Sequence, residues 1–248
     1  LPTTVGTGSE VTNVAICEMI ERKTKKGLAD DLIYPDKAVL IPELVKTLPY
    51  KFFATSSIDA LIHSIESFVS PNATYYSRIF SKEAMSTILG CYKKVVSGEN
   101  WNIYAKDFLY ASDLAGIAFN NAGCGAVHAL SYPLGGTYHI PHGEANMLMF
   151  EAVFKKYREK DPKGKINDLY LILSNVLGCD ESSALDEMFK LLDLILKRNP
   201  LNTYGVKKEE LAVFAKSVIQ NQGRLLANNY TSLSEDEMLE IYESVFDK

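Results

Sequence analysis

The spacing of hydrophobic and polar positions divides this chain near Pro49. Before that point, short apolar runs alternate with polar stretches rich in Gly, Ser and Thr, which is typical of strands and loops. The apolar runs at residues 13–21 and 36–44 predict two strands, and residues 22–31 predict a polar connection between them. The first part of the chain therefore has a mixed α/β character.

After Pro49 the apolar residues recur at three- and four-residue steps, which is the period of an amphipathic helix. Seven segments show this pattern and are predicted to be helical: 56–68, 76–96, 104–119, 166–178, 184–198, 208–227 and 235–246. The sequence therefore predicts a mainly α protein. Residues 1–49 would form a short α/β piece, and residues 50–248 an all-α domain.

Capping residues indicate where two of these helices begin. Ser56 or Ser57 could cap the first helix, because a hydroxyl placed there can accept a hydrogen bond from a free backbone N–H. Ser234 followed by Glu237 is the signature of a capping box at the last helix. The serines near residue 56 and the Ser234–Glu237 pair both support the prediction that the chain is helical after Pro49.

Composition and charge exclude several classes of protein. The chain has 248 residues, 47% of them hydrophobic, and a net charge of −5, so it offers neither a basic face for nucleic acid nor a polybasic membrane signal. No apolar run is long enough to span a bilayer. The cysteines show no CxxC spacing, which favours free thiols over a disulfide framework. We therefore expect a cytoplasmic protein that binds neither nucleic acid nor membranes.

Three of the four histidines join an aspartate in a candidate metal site. Asp59 and His63 are four residues apart on a predicted helix, so they share one face. His128 and His142 belong to a Gly-rich segment that we expect to be a loop converging on this helix. One carboxylate and three imidazoles suit iron(II), zinc or another first-row divalent ion. Each residue alone is better explained as a hydrogen-bonded or surface side chain, but together they favour a metal.

Residues 2–12 are rich in Gly, Ser and Thr and could bind phosphate through backbone amides and hydroxyls. The segment is neither a Walker A loop nor a G-x-G-x-x-G fingerprint, and such loops are usually only turns. Lys25 and Lys26 are likewise most simply read as a solvated charge run. Taken alone, this part of the chain gives weak evidence for a cofactor.

These segments together resemble the iron-dependent (group III) alcohol dehydrogenase family. The pattern DALxHxxE runs from Asp59 to Glu66, and VHALxxPLGGxxxxPHGxAN runs from Val127 to Asn146. The resemblance implies a dehydroquinate synthase-like fold, in which an all-α domain follows a Rossmann-like domain, and residues 1–49 would be the remnant of the latter. It also implies that an upstream segment with the pyrophosphate loop is missing. We therefore expect this chain alone to be inactive and to bind NAD(H) poorly.

The resemblance also implies roles for individual residues. Those matching the family's metal ligands, for iron(II) or zinc, are Asp59, His63, His128 and His142. Those matching positions that line the dinucleotide are Thr3, Thr4, Gly6, Thr7, Thr12 and Lys25, with Lys26 as the alternative to Lys25. Where many members carry a second histidine close to the nicotinamide, this chain has Tyr132. Tyr132 or His139 could replace it in catalysis, although a packed tyrosine and a surface histidine are the simpler readings.

The implied activity is hydride transfer between NAD, or NADP, and a small alcohol or aldehyde, with 4-hydroxybutyrate and succinate semialdehyde as the expected pair. The substrate carboxylate needs a positive partner, and Arg78, His139 and Arg224 have the charge, although each is better explained as an ordinary surface or packing residue. Alternatives are a related glycerol or butanol dehydrogenase, a non-catalytic helical module with a structural metal, and a metal hydrolase using Glu66. A homo-oligomer is compatible with the sequence, which does not specify the oligomeric state.

Overall fold

The computed structural model describes residues 1–19, 21 and 24–247. Two antiparallel strands, β1 (Val14–Met19) and β2 (Thr24–Ala29), form a hairpin. Within the described residues ten α-helices follow: α1 (Tyr50–Val69), α2 (Tyr75–Val96), α3 (Ala105–Ala122), α4 (Ala126–Tyr138), α5 (His142–Lys160), α6 (Lys165–Leu177), α7 (Ala184–Ile195), α8 (Leu211–Asn221), α9 (Gly223–Leu226) and α10 (Glu235–Ser244). The mainly α prediction is confirmed. None of the described helices combines the length and the apolar character needed to cross a membrane.

The hairpin differs in part from the strands predicted by the sequence. β1 lies in the predicted run, but β2 lies in the predicted polar connection, where it pairs with β1 from Val14 opposite Ala29 to Met19 opposite Thr24. The part of these predictions that falls on residues 20, 22 and 23 lies outside the described residues. The predicted strand at 36–44 is wrong. This stretch ends in a short 3₁₀ turn, Pro42–Leu44, and Pro42 has no N–H to donate to a neighbouring strand.

Helix α1 forms the centre of the molecule. It packs against α2, α3 and α5, and the side chains from Phe53 to Val69 are almost all buried. A helix enclosed on several sides carries no wide polar face. Small residues such as Ser57, Ala60 and Ser64 allow the neighbouring helices to approach it closely. The candidate ligands Asp59 and His63 therefore lie in the interior rather than on an exposed helix face.

The predicted start of α1 at Ser56 or Ser57 is wrong. The helix begins about two turns earlier, at Tyr50, and Pro49 occupies the N-cap position. The two serine hydroxyls donate to carbonyls of the preceding turn, Ser56 to Phe52 at 2.7 Å and Ser57 to Phe53 at 2.8 Å. Such bonds satisfy a serine inside a helix, so its presence does not mark a helix start.

The capping box of α10 is confirmed. The Glu237 N–H donates to the Ser234 hydroxyl at 3.1 Å, and the Ser234 N–H donates to the Glu237 carboxylate at 2.8 Å. The helix predicted over 208–227, by contrast, is interrupted at Gln222 and becomes α8 and α9. This interruption turns α9 toward β2.

The segment between His128 and His142 is helical up to Tyr138, which corrects the expectation of a loop there, and only residues 139–141 join the two helices without helical structure. It forms α4 and the first residue of α5. Pro133, Gly135 and Gly136 disfavour a helix in isolation, but every side chain from Ala126 to Gly136 is buried, and packing against α5 outweighs the poor propensity. The site is therefore built on rigid elements.

Candidate metal centre

Three helices bring the four candidate ligands together. Asp59 and His63 lie on α1, His128 lies on α4, and His142 is the first residue of α5. The Asp59 Oδ1 atom is 3.5 Å from Nε2 of His128 and 3.8 Å from Nε2 of His142. The rings of His63 and His128 stack with centroids 4.6 Å apart. Ligand atoms around one zinc-sized ion, bound at about 2.0–2.2 Å, are separated by roughly 3–4 Å, so Asp59, His128 and His142 are close enough to share an ion, and the ring of His63 lies directly beside that of His128.

A buried cysteine lies beside this group. The potential ligand atoms of Asp59, His128 and His142 lie within 4.8 Å of one another, and those of His63, Cys124 and His128 do so as well. Cys124 is buried in the short connection between α3 and α4. The sequence did not predict this proximity because the four cysteines are scattered along the chain. All four are free thiols, as their spacing predicted.

Hydrogen bonds fix the orientation of two imidazoles. The Glu66 carboxylate accepts from Nδ1 of His128 at 2.6 Å and from the Val127 N–H at 2.8 Å. The Gly6 carbonyl can only accept, so the Nδ1 atom of His63, 3.2 Å away, carries the proton. Nε2 is then the candidate ligand atom of each ring. The buried Nε2 of His128 has no hydrogen-bond partner among the described residues, which is the state that a bound cation would resolve.

Asn146 links two of the candidate ligands. Its Nδ2 atom donates to Asp59 Oδ1 at 2.7 Å and lies 3.3 Å from Nε2 of His142. Asn146 is one turn beyond His142 on α5, so the same helix supplies both the ligand and its support. Glu66 and Asn146 both lie inside the two sequence motifs, although the chain's periodicity alone does not reveal what they contact.

The site lowers the pKa of one carboxyl and two imidazoles. Burial alone would raise the pKa of Asp59, but the imidazoles of His63, His142 and His128 outweigh it and hold that pKa below its usual range. Burial lowers the pKa of His63 to about 4, although the Asp59 carboxylate opposes the shift. Burial likewise lowers the pKa of His142. Near neutral pH these residues therefore offer one anionic oxygen and two neutral rings, the protonation states that a divalent ion requires.

His128 behaves differently from the other two histidines. Burial would lower its pKa, but the adjacent carboxylates of Asp59 and Glu66 outweigh burial and raise the pKa to about 9. Without a cation this ring therefore holds an extra proton between two carboxylates. A metal ion would displace that proton and take over the same electrostatic role. The donor set and its charges fit a divalent ion.

A cleft of about 790 Å³ opens onto the four candidate ligands. Among the predicted cofactor residues, Thr7, Thr12 and Lys25 line this cleft. Thr3 is exposed, Thr4 is half-buried, and neither belongs to the described lining. Gly6 has another role, because it packs so closely on α1 that a Cβ there would lie 2.2 Å from the Ser56 carbonyl oxygen.

The two predicted catalytic residues lie in different environments. Tyr132 is buried in the wall of the cleft, its ring centroid 6.1 Å from that of His142, and burial raises the pKa of its hydroxyl. His139 ends α4 with a φ of 53° and is exposed, its Nδ1 3.4 Å from a carboxylate oxygen of Glu18. It does not belong to the described lining of the cleft. The structure therefore brings Tyr132, and not His139, to the candidate ligands.

The side chains of Lys25 and Lys26 lie in different environments. Lys25 lines the cleft beside α4, whereas Lys26 is exposed outside the lining. Burial lowers the pKa of Lys25, and the nearby carboxylates of Glu18 and Asp59 oppose that shift. The Arg78 side chain binds the Phe68 carbonyl and Asp168 instead of entering the cleft.

The fold and the candidate site agree with a known family. Residues 53–246 match the profile of the Fe-containing alcohol dehydrogenase family, C-terminal. The chain therefore belongs to the iron-containing alcohol dehydrogenase family. It is 54% identical to the 4-hydroxybutyrate dehydrogenase of Clostridium kluyveri, over 99% of this chain and 67% of that protein.

Solved structures show the same relationship. The iron-containing alcohol dehydrogenase of Thermotoga maritima superposes with a TM-score of 0.80 at 27% identity, over 99% of this chain and 62% of that one. The sulfoacetaldehyde reductase of Bifidobacterium kashiwanohense, solved in complex with NAD⁺, gives a TM-score of 0.83 at 26% identity, over 98% and 63%. The predicted fold, that of the family's all-α C-terminal domain, is confirmed. The chain spans between 62% and 67% of the length of these proteins.

Proposed function

We propose that this chain supplies the metal-binding part of an NAD(P)-dependent alcohol dehydrogenase that interconverts 4-hydroxybutyrate and succinate semialdehyde. The observation that carries the proposal is the convergence of four candidate ligands, Asp59, His63, His128 and His142, at one end of a cleft. The 54% identity to the Clostridium kluyveri enzyme supports the substrate pair. The NAD⁺ complex of the related sulfoacetaldehyde reductase supports a nicotinamide cofactor.

The residues of this chain would prepare the site for reaction. Asp59 supplies a permanent negative charge, and the carbonyl of Gly6 and the carboxylate of Glu66 hold two imidazoles in position. A divalent ion bound there supplies Lewis acidity toward a substrate oxygen, and the nicotinamide supplies the hydride carrier. Tyr132 stays protonated because of its raised pKa, so its hydroxyl can donate a hydrogen bond toward the cleft.

The proposed ion is iron(II), and zinc would accept the same donor set. The proposed dinucleotide-binding residues are those predicted from the sequence, of which Thr7, Thr12 and Lys25 line the cleft. The division at residue 49, the cytoplasmic location and a homo-oligomeric state stay predictions, as does the choice between NAD and NADP.

The structure weighs against the other classes considered from the sequence. A hydrolase would need a free carboxylate near the ion, but both oxygens of Glu66 already accept hydrogen bonds, from His128 and Val127. A purely structural metal would be enclosed by protein, whereas His142 is about one-third exposed and faces an open cleft. Access to these residues from the cleft supports a catalytic role.

The metal site is tested by substituting His142. We expect His142→Ala to reduce the iron or zinc retained by the purified protein, measured by elemental analysis, because one of four ligands is lost. His139→Ala removes an exposed histidine and is the matched control for metal content. Undiminished metal in His142→Ala would exclude this residue as a ligand.

The activity is tested in the complete polypeptide encoded by the gene. Reduction of succinate semialdehyde is measured with NADH and with NADPH, in the metal-loaded protein and after chelation. We expect turnover with at least one cofactor and its loss on chelation. Turnover that survives complete removal of metal would contradict the proposal, as would activity confined to alcohols without a carboxylate.

A further inference from the structure

Arg224 lies in the wall of the cleft that contains the four candidate ligands. It belongs to α9, which packs against α4. Burial raises the pKa of the Cys124 thiol, and the nearby guanidinium of Arg224 opposes this shift. The thiol itself lies within 4.8 Å of ring nitrogens of His63 and His128. Cys124 therefore connects Arg224 spatially to the candidate ligands.

The backbone around Arg224 is held from two sides. Gln222, directly before α9, is buried and donates from its side-chain amide to the Lys25 carbonyl of β2 at 3.1 Å. Asn228 donates from Nδ2 to the carbonyls of both Arg224 and Cys124, each at 3.1 Å. The short helix is thus tied to the hairpin and to the turn before α4. A side chain carried on a fixed backbone loses less entropy when it binds a ligand.

The guanidinium extends along the hairpin at Gly27. A Cβ at that position would lie 2.4 Å from a terminal nitrogen of Arg224, so the absence of a side chain there makes room for it. Among the described residues the guanidinium makes no hydrogen bond or ion pair, and the side chain is exposed. Its planar set of N–H donors is therefore available to an anion in the cleft.

Lys25 is the other Lys or Arg side chain in the described lining of the cleft. Its ammonium group is partly buried against Gly135 of α4, and the carboxylates of Glu18 and Asp59 act on it. An ammonium group is a compact point charge, whereas a guanidinium matches a carboxylate with two parallel hydrogen bonds. Arg224 is accordingly the better partner for a carboxylate that arrives with the substrate.

We propose that Arg224 binds the carboxylate of a short hydroxy acid whose hydroxyl lies toward the Asp59–His63–His128–His142 cluster, and thereby selects carboxylated substrates over simple primary alcohols. This inference rests on the proposed dehydrogenase function and assigns its substrate specificity to one residue. The hydroxyl and the carboxylate would lie at opposite ends of the bound molecule. The cluster would then determine which end of the substrate reacts. Arg224 would determine the length and the charge of the substrates that are accepted.

The test compares succinate semialdehyde with butanal, which has the same chain length and no carboxylate. In the metal-loaded complete polypeptide, we expect Arg224→Gln to reduce the preference for succinate semialdehyde roughly 10- to 100-fold, the range for loss of a charged hydrogen-bonding partner. The preference is the ratio of the two kcat/KM values, and the change should appear mainly in the KM for succinate semialdehyde. Arg224→Lys keeps the charge without the paired donors and should give an intermediate value.

Two controls separate binding from structural damage. Arg158→Gln removes another partly exposed arginine, which pairs with Asp186 on the surface, and should leave the substrate preference unchanged. The inhibition constant for butyrate provides a second readout and should rise in Arg224→Gln. Equal losses for both aldehydes would overturn the proposal, because they indicate a structural role.

The outcomes also distinguish this inference from the proposed function. If the wild-type protein prefers succinate semialdehyde and Arg224→Gln retains that preference, Arg224 is not the carboxylate-binding residue and the proposed function stands. If the wild-type protein shows no preference for succinate semialdehyde over butanal, both the assigned substrate and this inference are wrong.

Discussion

Glu66 orients the imidazole of His128, the candidate ligand on α4. Its two oxygens accept from His128 Nδ1 and from the Val127 N–H, so the ring has a defined orientation. A carboxylate behind a ligating imidazole fixes the tautomer and increases the basicity of the opposite nitrogen. If His128 binds the proposed ion, Glu66 would be a positioning residue that acts through His128.

Replacing Glu66 should weaken metal binding without removing a ligand. We expect Glu66→Gln to lower the affinity for zinc or iron(II) roughly 10- to 100-fold, because the neutral amide supports the imidazole less well. Titration calorimetry of the metal-free protein measures the change. Glu83→Gln, an exposed position on α2, serves as the control. Equal affinities in the two variants would show that Glu66 does not influence the metal.

Among individual residues, the sequence indicates the candidate ligands better than it indicates the groups that hydrogen-bond to them. A helical spacing of four places Asp59 and His63 on one face, and the scarcity of histidines makes His128 and His142 conspicuous. The contact of Glu66 is with a residue 62 positions away, and no local pattern encodes such a pairing. The carbonyl of Gly6 is likewise invisible to the sequence because every residue has one.

The crossing of α1 and α5 brings Asp59 and His142 together. Gly143 lies at the contact, where a Cβ would stand 2.0 Å from the Thr55 carbonyl oxygen and 3.4 Å from Cβ of Asp59. Only a glycine permits this approach of the two backbones. The candidate site therefore depends on a residue that supplies no ligand atom.

Enlarging that glycine should separate the two helices. We expect Gly143→Ala to destabilise the fold by about 1–3 kcal/mol through overpacking and to reduce metal binding, since His142 is the adjacent residue. Gly90→Ala is the matched control, because a Cβ at Gly90 on α2 meets open space. That variant should be neutral or more stable by up to about 1 kcal/mol. Denaturation in urea measures both, and equal stabilities would contradict the proposed close contact.

The sequence predicts the helices that have one polar face, but it does not predict α4. Helices α6, α7 and α10 show clear periodicity and were predicted from it. Helix α4 is buried along most of its length and contains Pro133 and two glycines, so packing and not propensity decides its conformation. Strand β2 was missed because its lysine-rich sequence is typical of an exposed edge as well as of a loop.

At the scale of the whole molecule, a bound ion would connect three helices. One end of the cleft would be closed by α1, α4 and α5, while β1, β2 and α9 form its walls. A ligand that binds only the folded state stabilises that state by mass action. The metal would therefore contribute to stability as well as to chemistry.

Metal loading should raise the thermal midpoint. With free metal at about one hundred times its Kd, the added stability is about 2.7 kcal/mol, which corresponds to roughly 5–10 °C for a domain of this size. Differential scanning calorimetry with and without a chelator measures the shift, and His142→Ala should show a much smaller one. Identical midpoints for the metal-loaded and metal-free protein would argue against a site that joins these helices.

Anomalous diffraction from crystals of the iron- or zinc-loaded protein tests the central claim most directly. The account predicts one strong peak bonded, at about 2.0–2.2 Å, to the Asp59 carboxylate and to a ring nitrogen each of His63, His128 and His142. A metal peak located elsewhere, or coordinated by Cys124 without Asp59, would contradict it.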